Sequence, residues 1–136
     1  MSGAPEIDVV AAVIERDGCI LIARRPAGSH LGGMWEFPGG KRKPGESSEA
    51  ALEREIREEL DAAVTVGELL DTVAWTYPGK RVRLSFFRCA IEGQPRAAEG
   101  QEIVWVRPAD LGRYEFPPAD AVLIERLRRA SGGPGA

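Results

Sequence analysis

Two apolar runs separated by a turn lie near the start of the sequence. Residues 7–14 are mostly β-branched or small and apolar, and a second apolar run covers residues 19–23. Between them stands Asp17-Gly18. Two strand-like runs joined by an Asp-Gly pair are typical of a tight β-hairpin. The pattern therefore predicts a hairpin in this part of the chain.

Strict alternation marks a longer strand in the second half of the sequence. Within residues 81–91, Val82, Leu84 and Phe86 share one face, and charged or polar residues separate them. Because the side chains of a strand alternate between its faces, this segment is predicted to be a half-buried antiparallel strand. Shorter apolar segments predict further strands at residues 35–37, 64–74 and 103–106.

A helix is predicted between these strand-rich regions. Leu52, Ile56 and Leu60 recur at four-residue spacing and form an apolar stripe that would dock the helix on a sheet. Ser47 stands just before this segment. Its hydroxyl is a suitable N-cap, because it can accept a hydrogen bond from a backbone N–H of the first turn.

The length and composition predict one domain. The 136 residues are 43% apolar, which is enough for one buried core and leaves no room for a second. A second amphipathic helix is predicted at residues 117–129, so we expect a domain over residues 1–130 and a flexible tail over residues 131–136. Strands mixed with two well-separated helices predict an α/β fold with a mixed sheet.

Charge and cysteine content narrow the classes of function. The net charge is −3, the pI is about 5.3, and the basic residues are scattered, which argues against a nucleic-acid polymer as partner. No apolar stretch approaches the roughly 18 residues of a membrane span, and no leader-like segment is recognised. Cys19 and Cys89 form no CxxC motif, which favours reduced thiols in a cytoplasmic protein. His30 is predicted to be an exposed loop residue.

The sequence does not determine the oligomeric state, so both a monomer and a homodimer are considered.

Three glutamates, Glu55, Glu58 and Glu59, share one face of the predicted helix. Like charges at these spacings destabilise a helix by about 0.2–0.5 kcal/mol per pair. A hard divalent cation would turn this repulsion into attraction, and Mg²⁺ is commonly shared between carboxylates and phosphate oxygens. The face therefore predicts a magnesium site that acts on a polyphosphate. The alternative is a solvated helix face, since short acidic and basic runs are common on surfaces.

The spacing of these glutamates resembles a known motif. Gly40, Glu46 and the segment REIREE at residues 54–59 resemble the Nudix box, the signature of the MutT/Nudix hydrolase superfamily. The segments WEFPGGK at residues 35–41 and FPPAD at residues 116–120 are similar to stretches that flank the site in the MutT-like branch. Asp61 departs from the box, which normally has a glycine there as a left-handed helix C-cap. We expect a changed helix end with the metal ligands intact.

The resemblance implies a fold, a reaction and a metal. The fold would be an α/β/α sandwich with a curved mixed sheet, and the reaction would convert a nucleoside triphosphate to the monophosphate and pyrophosphate. Mg²⁺, with Mn²⁺ as a substitute, would neutralise phosphate charge and lower the pKa of a bound water. The implied metal ligands are the carbonyl of Gly39 and the side chains of Glu55, Glu58, Glu59 and Glu99. The implied catalytic residues are Arg54, Glu55, Glu58 and Glu99.

The resemblance also implies supporting roles. Arg54 would orient a ligating carboxylate by charge-assisted hydrogen bonds. Lys41 would bind phosphate as a compact point charge, and Glu46 would brace the loop or join the outer shell of the metal. The identity of the general base stays open between Glu58, Glu99 and Glu102.

The implied base-binding residues leave the substrate open. The substrate contacts are expected at Arg25, Phe37, Gly40, Lys41 and Asp120. In MutT-like enzymes that discriminate 8-oxoguanine the position of Asp120 is typically Asn, whereas an ionised Asp only accepts hydrogen bonds. An Ala-Asp pair is found in a related branch that hydrolyses CTP and modified pyrimidine nucleotides.

Two substrates are therefore predicted in order of preference. The first is an oxidised purine triphosphate such as 8-oxo-dGTP, and the second is CTP, which would make the protein a CTP pyrophosphohydrolase. Hydrolysis of a nucleotide sugar or a dinucleoside polyphosphate is less favoured, because the chain is short and both of its ends are MutT-like. A nucleotide-binding module without turnover is also less favoured, because all three helix glutamates and Arg54 are present.

Overall fold

The computed structural model describes residues 6–29 and 31–131, with only the backbone of the last residue. The strands are β1 (Glu6–Arg16), β2 (Cys19–Arg24), β3 (Trp35–Glu36), β4 (Gly39–Lys41), β5 (Val64–Tyr77), β6 (Lys80–Ile91) and β7 (Ile103–Val106). The helices are α1 (Ser48–Leu60) and α2 (Ala121–Ser131), and two 3₁₀ turns cover Pro108–Arg113 and Pro118–Asp120. Within these residues no helix is both long enough and apolar enough to cross a membrane.

The strands form one mixed sheet around β1. The order is β3-β2-β1-β6-β5, with β4 paired to β1 and β7 paired to β2. One edge of β1 pairs in parallel with β6, and its other edge is shared, because β4 pairs with Val9–Ala11 while β2 pairs with the last residues of β1. The predicted hairpin is confirmed: Asp17 and Gly18 both have positive φ angles, of 53° and 78°, as a type I′ turn requires.

Two apolar cores cover the two faces of the sheet. Alternate residues of β1 belong to different cores, as the two-residue period of a strand demands. One core joins β1 to the stripe of α1, through Val10, Ala12, Ile14, Leu52, Ile56 and Leu60. The other core joins β1 to α2, through Ala11, Val13, Leu123 and Ile124. The predicted α/β sandwich with a mixed sheet is therefore confirmed.

Helix α1 begins and ends at caps that its sequence supplies. The hydroxyl of Ser47 accepts a hydrogen bond of 3.0 Å from the backbone N–H of Ala50, as predicted. At the other end Asp61 adopts the left-handed conformation, with a φ angle of 51°, and its N–H donates to the carbonyl of Arg57. The helix end thus keeps the backbone cap typical of glycine. The change brought by Asp61 lies in its side chain, which forms an ion pair of 3.2 Å with Arg96.

The C-terminal helix starts later than predicted. The sequence pattern placed it at residues 117–129, whereas α2 begins at Ala121. Pro117 precedes a second proline, which disfavours the helical region for it, and its ψ angle of 150° is extended. Ser131 ends α2 rather than beginning a tail. His30 and residues 132–136 lie outside the described residues.

The cap at Asp61 predicts opposite effects for two substitutions. A left-handed conformation costs a residue with a side chain roughly 1 kcal/mol, whereas an exposed ion pair contributes about 0–1 kcal/mol. We expect Asp61→Gly to raise the free energy of unfolding by about 0.5 kcal/mol, and Asp61→Ala to lower it, since alanine keeps the strain without the ion pair. Urea denaturation monitored by circular dichroism measures both; equal values for the two variants would contradict the strain argument.

Candidate active site

Arg54 is the centre of an ion-pair network on α1. Its guanidinium donates two hydrogen bonds to the carboxylate of Glu46, at 2.8 and 2.9 Å, and one of 2.9 Å to Glu55. It also donates to the carbonyl of Lys41 at 3.1 Å, and it lies 3.5 Å from Glu58. The hydrogen bonds from Arg54 hold the pKa of Glu46 well below its usual range. Arg54 therefore ties the loop before α1 to the carboxylate face of the helix.

Two carboxylates of α1 share a site that is largely shielded from water. Burial raises the pKa of Glu59, and a side-chain hydrogen bond with Glu55 raises it further. The charges of Glu36 and Glu99 act in the same direction, so four carboxylates contribute to one electrostatic environment. Such crowding disfavours ionisation, and a bound cation would reverse it.

A glycine pair brings β4 against the helix carboxylates. A Cβ atom on Gly39 would overlap the carbonyl oxygen of Val10, and one on Gly40 would overlap the carboxyl group of Glu55. At Gly39 only glycine permits this close approach of two backbones, whereas at Gly40 the added atom would meet the flexible end of Glu55. Gly39 is therefore required for the position of β4, whose backbone lies beside the expected metal ligands.

The donor set fits a hard divalent cation. The groups that meet at this point are carboxylates, which are ligands that Mg²⁺ and Mn²⁺ prefer, and the backbone of β4 lies beside them. As the side chains stand, the described residues contain no cluster of three or more acidic, cysteine or histidine ligands. The side chain of Glu58 is 55% exposed and lies 3.5 Å from Arg54.

The two loop carboxylates that were considered as general bases have different surroundings. Glu99 is exposed, and its charge contributes to the raised pKa values of Glu59 and Glu36. Glu102 instead forms an ion pair of 3.6 Å with Arg24, whose backbone N–H also donates to the carbonyl of Glu102. The structure thus brings Glu99, rather than Glu102, into the field of the helix carboxylates.

A cavity of about 290 Å³ adjoins this site. Its floor is apolar and comes from β1 and β6, with Val9, Ala11, Val82, Leu84 and Phe86. Its polar lining carries the side chains of Arg25, Glu36, Lys41, Tyr77, Lys80 and Asp120. Because β4 lines the cavity and also contacts Glu55, the cavity and the carboxylate site share one strand.

Asp120 is buried at the wall of the cavity. Its exposed fraction is 5%, and burial raises its pKa to about 7, with the charge of Glu36 as a second cause. Burial also raises the pKa of Glu36, against the opposing hydrogen bond of 2.8 Å from Arg25. The cavity therefore combines two carboxyl groups with one guanidinium. Near neutral pH Asp120 exists in both its neutral and its ionised form.

All five expected substrate contacts lie around this cavity. Arg25, Phe37, Gly40, Lys41 and Asp120 all line it. The ring of Phe37 is buried, however, and it stacks on Phe116 at 5.3 Å and meets Phe86 edge-on at 5.8 Å. Phe37 thus contributes mainly to the wall that holds the cavity open.

The sequence pattern did not reveal three polar residues of the cavity. Glu36 was assigned to a strand and to the segment WEFPGGK without a role of its own, and Tyr77 and Lys80 lie between two predicted strands and were given no role. Tyr77 and Lys80 stand at the tip of the β5–β6 hairpin, where the amine of Lys80 lies 5.7 Å from the ring centre of Tyr77. An aromatic and a basic residue that flank Pro-Gly were the only signal, and it does not distinguish a binding site from an ordinary turn.

Helix carboxylates beside a partly enclosed cavity are an arrangement common among hydrolases that act on small molecules. The model of the NUDIX domain family matches residues 9–126. The chain therefore belongs to the Nudix family, and it is a Nudix hydrolase.

Relatives of known name support the same assignment. The chain is 45% identical over 120 residues to the CTP pyrophosphohydrolase of Escherichia coli (strain K12), with 88% of this chain and 89% of the relative covered. It is 39% identical over 125 residues to the 8-oxo-dGTP diphosphatase of Haemophilus influenzae, with 89% and 90% covered. The solution structure of the E. coli ORF135 protein is similar at a TM-score of 0.82 and 42% identity, covering 98% of this chain and 96% of that one.

The buried Asp120 predicts a pH-dependent gain in stability from Asp120→Asn. Its pKa rises from 3.8 to about 7 on folding, so the folded state binds the extra proton and loses stability as pH rises through this window. We expect Asp120→Asn to raise the free energy of unfolding at pH 8 by about 1–4 kcal/mol, since a tenfold change in acid dissociation corresponds to roughly 1.4 kcal/mol. The gain shrinks toward pH 4.

Urea denaturation at pH 4, 6 and 8 measures this gain. Asp110→Asn is a matched control, because it makes the same chemical change at a more exposed site in the neighbouring 3₁₀ turn. It is expected to alter stability by less than about 1 kcal/mol at each pH. A gain from Asp120→Asn that is the same at all three pH values would contradict the prediction.

Proposed function

We propose that this Nudix hydrolase converts a nucleoside triphosphate to the monophosphate and pyrophosphate in a reaction that requires Mg²⁺ or Mn²⁺. The observation that carries the proposal is the shared strand β4: Gly39, Gly40 and Lys41 line the cavity, and Gly40 contacts Glu55. A nucleoside held in the cavity would direct its phosphate chain over the helix carboxylates. A small nucleotide is the substrate, since the cavity volume matches a small molecule.

The residues proposed to hold the metal are Glu55, Glu58, Glu59 and Glu99 with the carbonyl of Gly39. When bound, the ion would neutralise phosphate charge and lower the pKa of a bound water. The chemistry is the substitution by water at one phosphorus with cleavage of the phosphoric anhydride bond, which gives the nucleoside monophosphate and pyrophosphate.

The chain itself contributes position and charge. Arg54 fixes Glu55 by a hydrogen bond of 2.9 Å, so one carboxylate is held in a defined orientation before substrate binds. Lys41 lines the cavity and takes part in none of the ion pairs between described residues, which leaves its amine for a phosphate. Glu99 is proposed as a further ligand or as the general base, because it is exposed and lies in the field of Glu59.

The base preferred by the cavity is proposed to be cytosine. The pair Ala119-Asp120 is buried at the cavity, and the relative named CTP pyrophosphohydrolase is 45% identical. An ionised Asp120 accepts from the N4 amine of cytosine. This choice reverses the order that the sequence pattern gave to the two candidates.

8-Oxo-dGTP is the second candidate. Because the pKa of Asp120 is about 7, part of the population carries a neutral carboxyl group at neutral pH. A neutral carboxyl donates and accepts, as the amide of Asn does. It therefore matches the N7 proton and the O6 carbonyl of 8-oxoguanine, and relatives named 8-oxo-dGTP diphosphatase support this candidate.

A substrate panel tests the proposed function. We expect pyrophosphate release with Mg²⁺ from CTP and dCTP, less from 8-oxo-dGTP and dGTP, none from diadenosine tetraphosphate, and none from any of them with EDTA. Glu58→Gln is expected to lower kcat/KM by about 10²–10⁴-fold, the usual contribution of a group that acts on the reacting atoms. Steady-state pyrophosphate assays measure both effects.

The matched control is Glu53→Gln, which removes one negative charge from an exposed position of the same helix. It is expected to change kcat/KM by less than about threefold, as is usual for a surface substitution away from the site. No turnover of any triphosphate by the wild type would sink the proposal, and an equal loss in both variants would attribute the effect of Glu58→Gln to net charge.

The pKa of Asp120 predicts a pH-dependent choice between the two bases. The ionised form suits cytosine, and the neutral form suits 8-oxoguanine, so the ratio of kcat/KM for dCTP to that for 8-oxo-dGTP should rise by about tenfold per pH unit, or about 100-fold from pH 6 to pH 8, around the pKa of about 7. Steps common to both substrates cancel in the ratio. In Asp120→Asn the ratio should be constant with pH. A ratio that does not change with pH in the wild type would show that Asp120 does not read the base.

A further inference from the structure

The loop that carries Glu99 is attached to the C-terminal end of α1. The last carbonyls of a helix lack partners within the helix. Here the backbone N–H of Arg96 donates to the carbonyl of Leu60 at 2.8 Å, and the N–H of Ala98 donates to the carbonyl of Glu59 at 3.1 Å. The loop therefore completes the helix end, and its position depends on these contacts.

One side chain makes a further connection between the same two segments. The amide nitrogen of Gln101 donates to the carbonyl of Glu59 at 2.9 Å, and its amide oxygen accepts from the backbone N–H of Glu99 at 3.0 Å. The two partners are a carbonyl and an N–H, so only one orientation of the amide satisfies both. Gln101 is half-buried, whereas Glu99 is exposed.

We propose that Gln101 is a positioning residue that fixes Glu99 relative to Glu59. This inference rests on the proposed function, in which both glutamates hold the metal. Both hydrogen bonds of its side chain are made to backbone atoms, so it holds the backbone of one glutamate against the backbone of the other. It sets the distance between two ligands that belong to different parts of the chain.

The exposed loop needs such a contact. The side chain of Glu99 is exposed to solvent. The following residue, Gly100, has a φ angle of 75°, and the backbone of glycine adopts many other conformations as readily. A ligand on a mobile loop loses affinity, because binding must then order the loop as well. Outer-shell contacts of this kind typically contribute about 10–100-fold to metal affinity or activity.

Two substitutions distinguish the effect of the hydrogen bonds of Gln101 from the effect of its side-chain size. Gln101→Met keeps the length and removes both hydrogen bonds. Gln101→Glu keeps an acceptor for the N–H of Glu99 but places a carboxylate against the carbonyl of Glu59, where no donor remains. We expect kcat to fall about 10–100-fold in both variants, while KM for the nucleotide changes by less than about threefold.

Two measurements do not depend on turnover. Mn²⁺ binding without nucleotide, followed by electron paramagnetic resonance, should be about 10-fold weaker or more in both variants. Amide hydrogen exchange of Glu99, measured by NMR, should be faster in Gln101→Met, since its N–H loses its acceptor. Circular dichroism provides the folded fraction, to which kcat and Mn²⁺ stoichiometry are normalised.

Arg96→Ala is the matched control on the same loop. Its side chain is 75% exposed and pairs only with Asp61 among the described residues, and its backbone contact with Leu60 is kept. It is expected to change Mn²⁺ affinity and kcat by less than about threefold.

The outcomes distinguish this inference from the proposed function. Unchanged Mn²⁺ affinity in Gln101→Met, whether or not exchange at Glu99 becomes faster, would overturn the positioning role. The same loss in Arg96→Ala as in Gln101→Met would also overturn it, because the effect would then belong to the loop in general. If the wild type binds Mn²⁺ but hydrolyses no triphosphate, the proposed function fails, while the effect of Gln101 on the metal is still measured.

Discussion

The structure depends on the way in which Arg54 holds the crowded carboxylates of α1. Carboxylates at these spacings repel one another, and burial strengthens the repulsion because less water screens it. The planar guanidinium of Arg54 donates to Glu46, to Glu55 and to the carbonyl of Lys41 at once. A lysine has no comparable fork of donors. One residue thus fixes the loop, the strand β4 and the helix face relative to one another.

The sheet explains why a cavity lies next to these carboxylates. Strands β4 and β2 share one edge of β1, so β4 is a separate strand of three residues. The backbone of Gly39 lies close to the carbonyl of Val10. One face of the sheet is covered by α1 and the other by α2, and β4 is accessible to both the helix carboxylates and the cavity. The cavity and the carboxylate site are adjacent because β4, a short strand of two glycines and a lysine, lies between them.

The sequence predicted those parts of the fold and the site that depend on short-range patterns. The stripe of α1, the cap at Ser47 and the glutamate face arise from spacings of three and four residues, and the strands arise from alternation. It did not predict β4, because Gly-Gly-Lys has no strand propensity of its own and forms only against β1. Nor did it predict that Glu36, Tyr77 and Lys80 meet at one cavity, since distant parts of the chain bring them together.

Glu36 links the two halves of the site. Its charge raises the pKa of Glu59 on the helix and also that of Asp120 at the cavity, and burial raises its own pKa against the opposing hydrogen bond from Arg25. Burial of several carboxyl groups costs stability, and such a cost is retained where function requires it. The carboxylates of α1 and the buried carboxyl group at the wall of the cavity therefore have Glu36 as a common electrostatic neighbour.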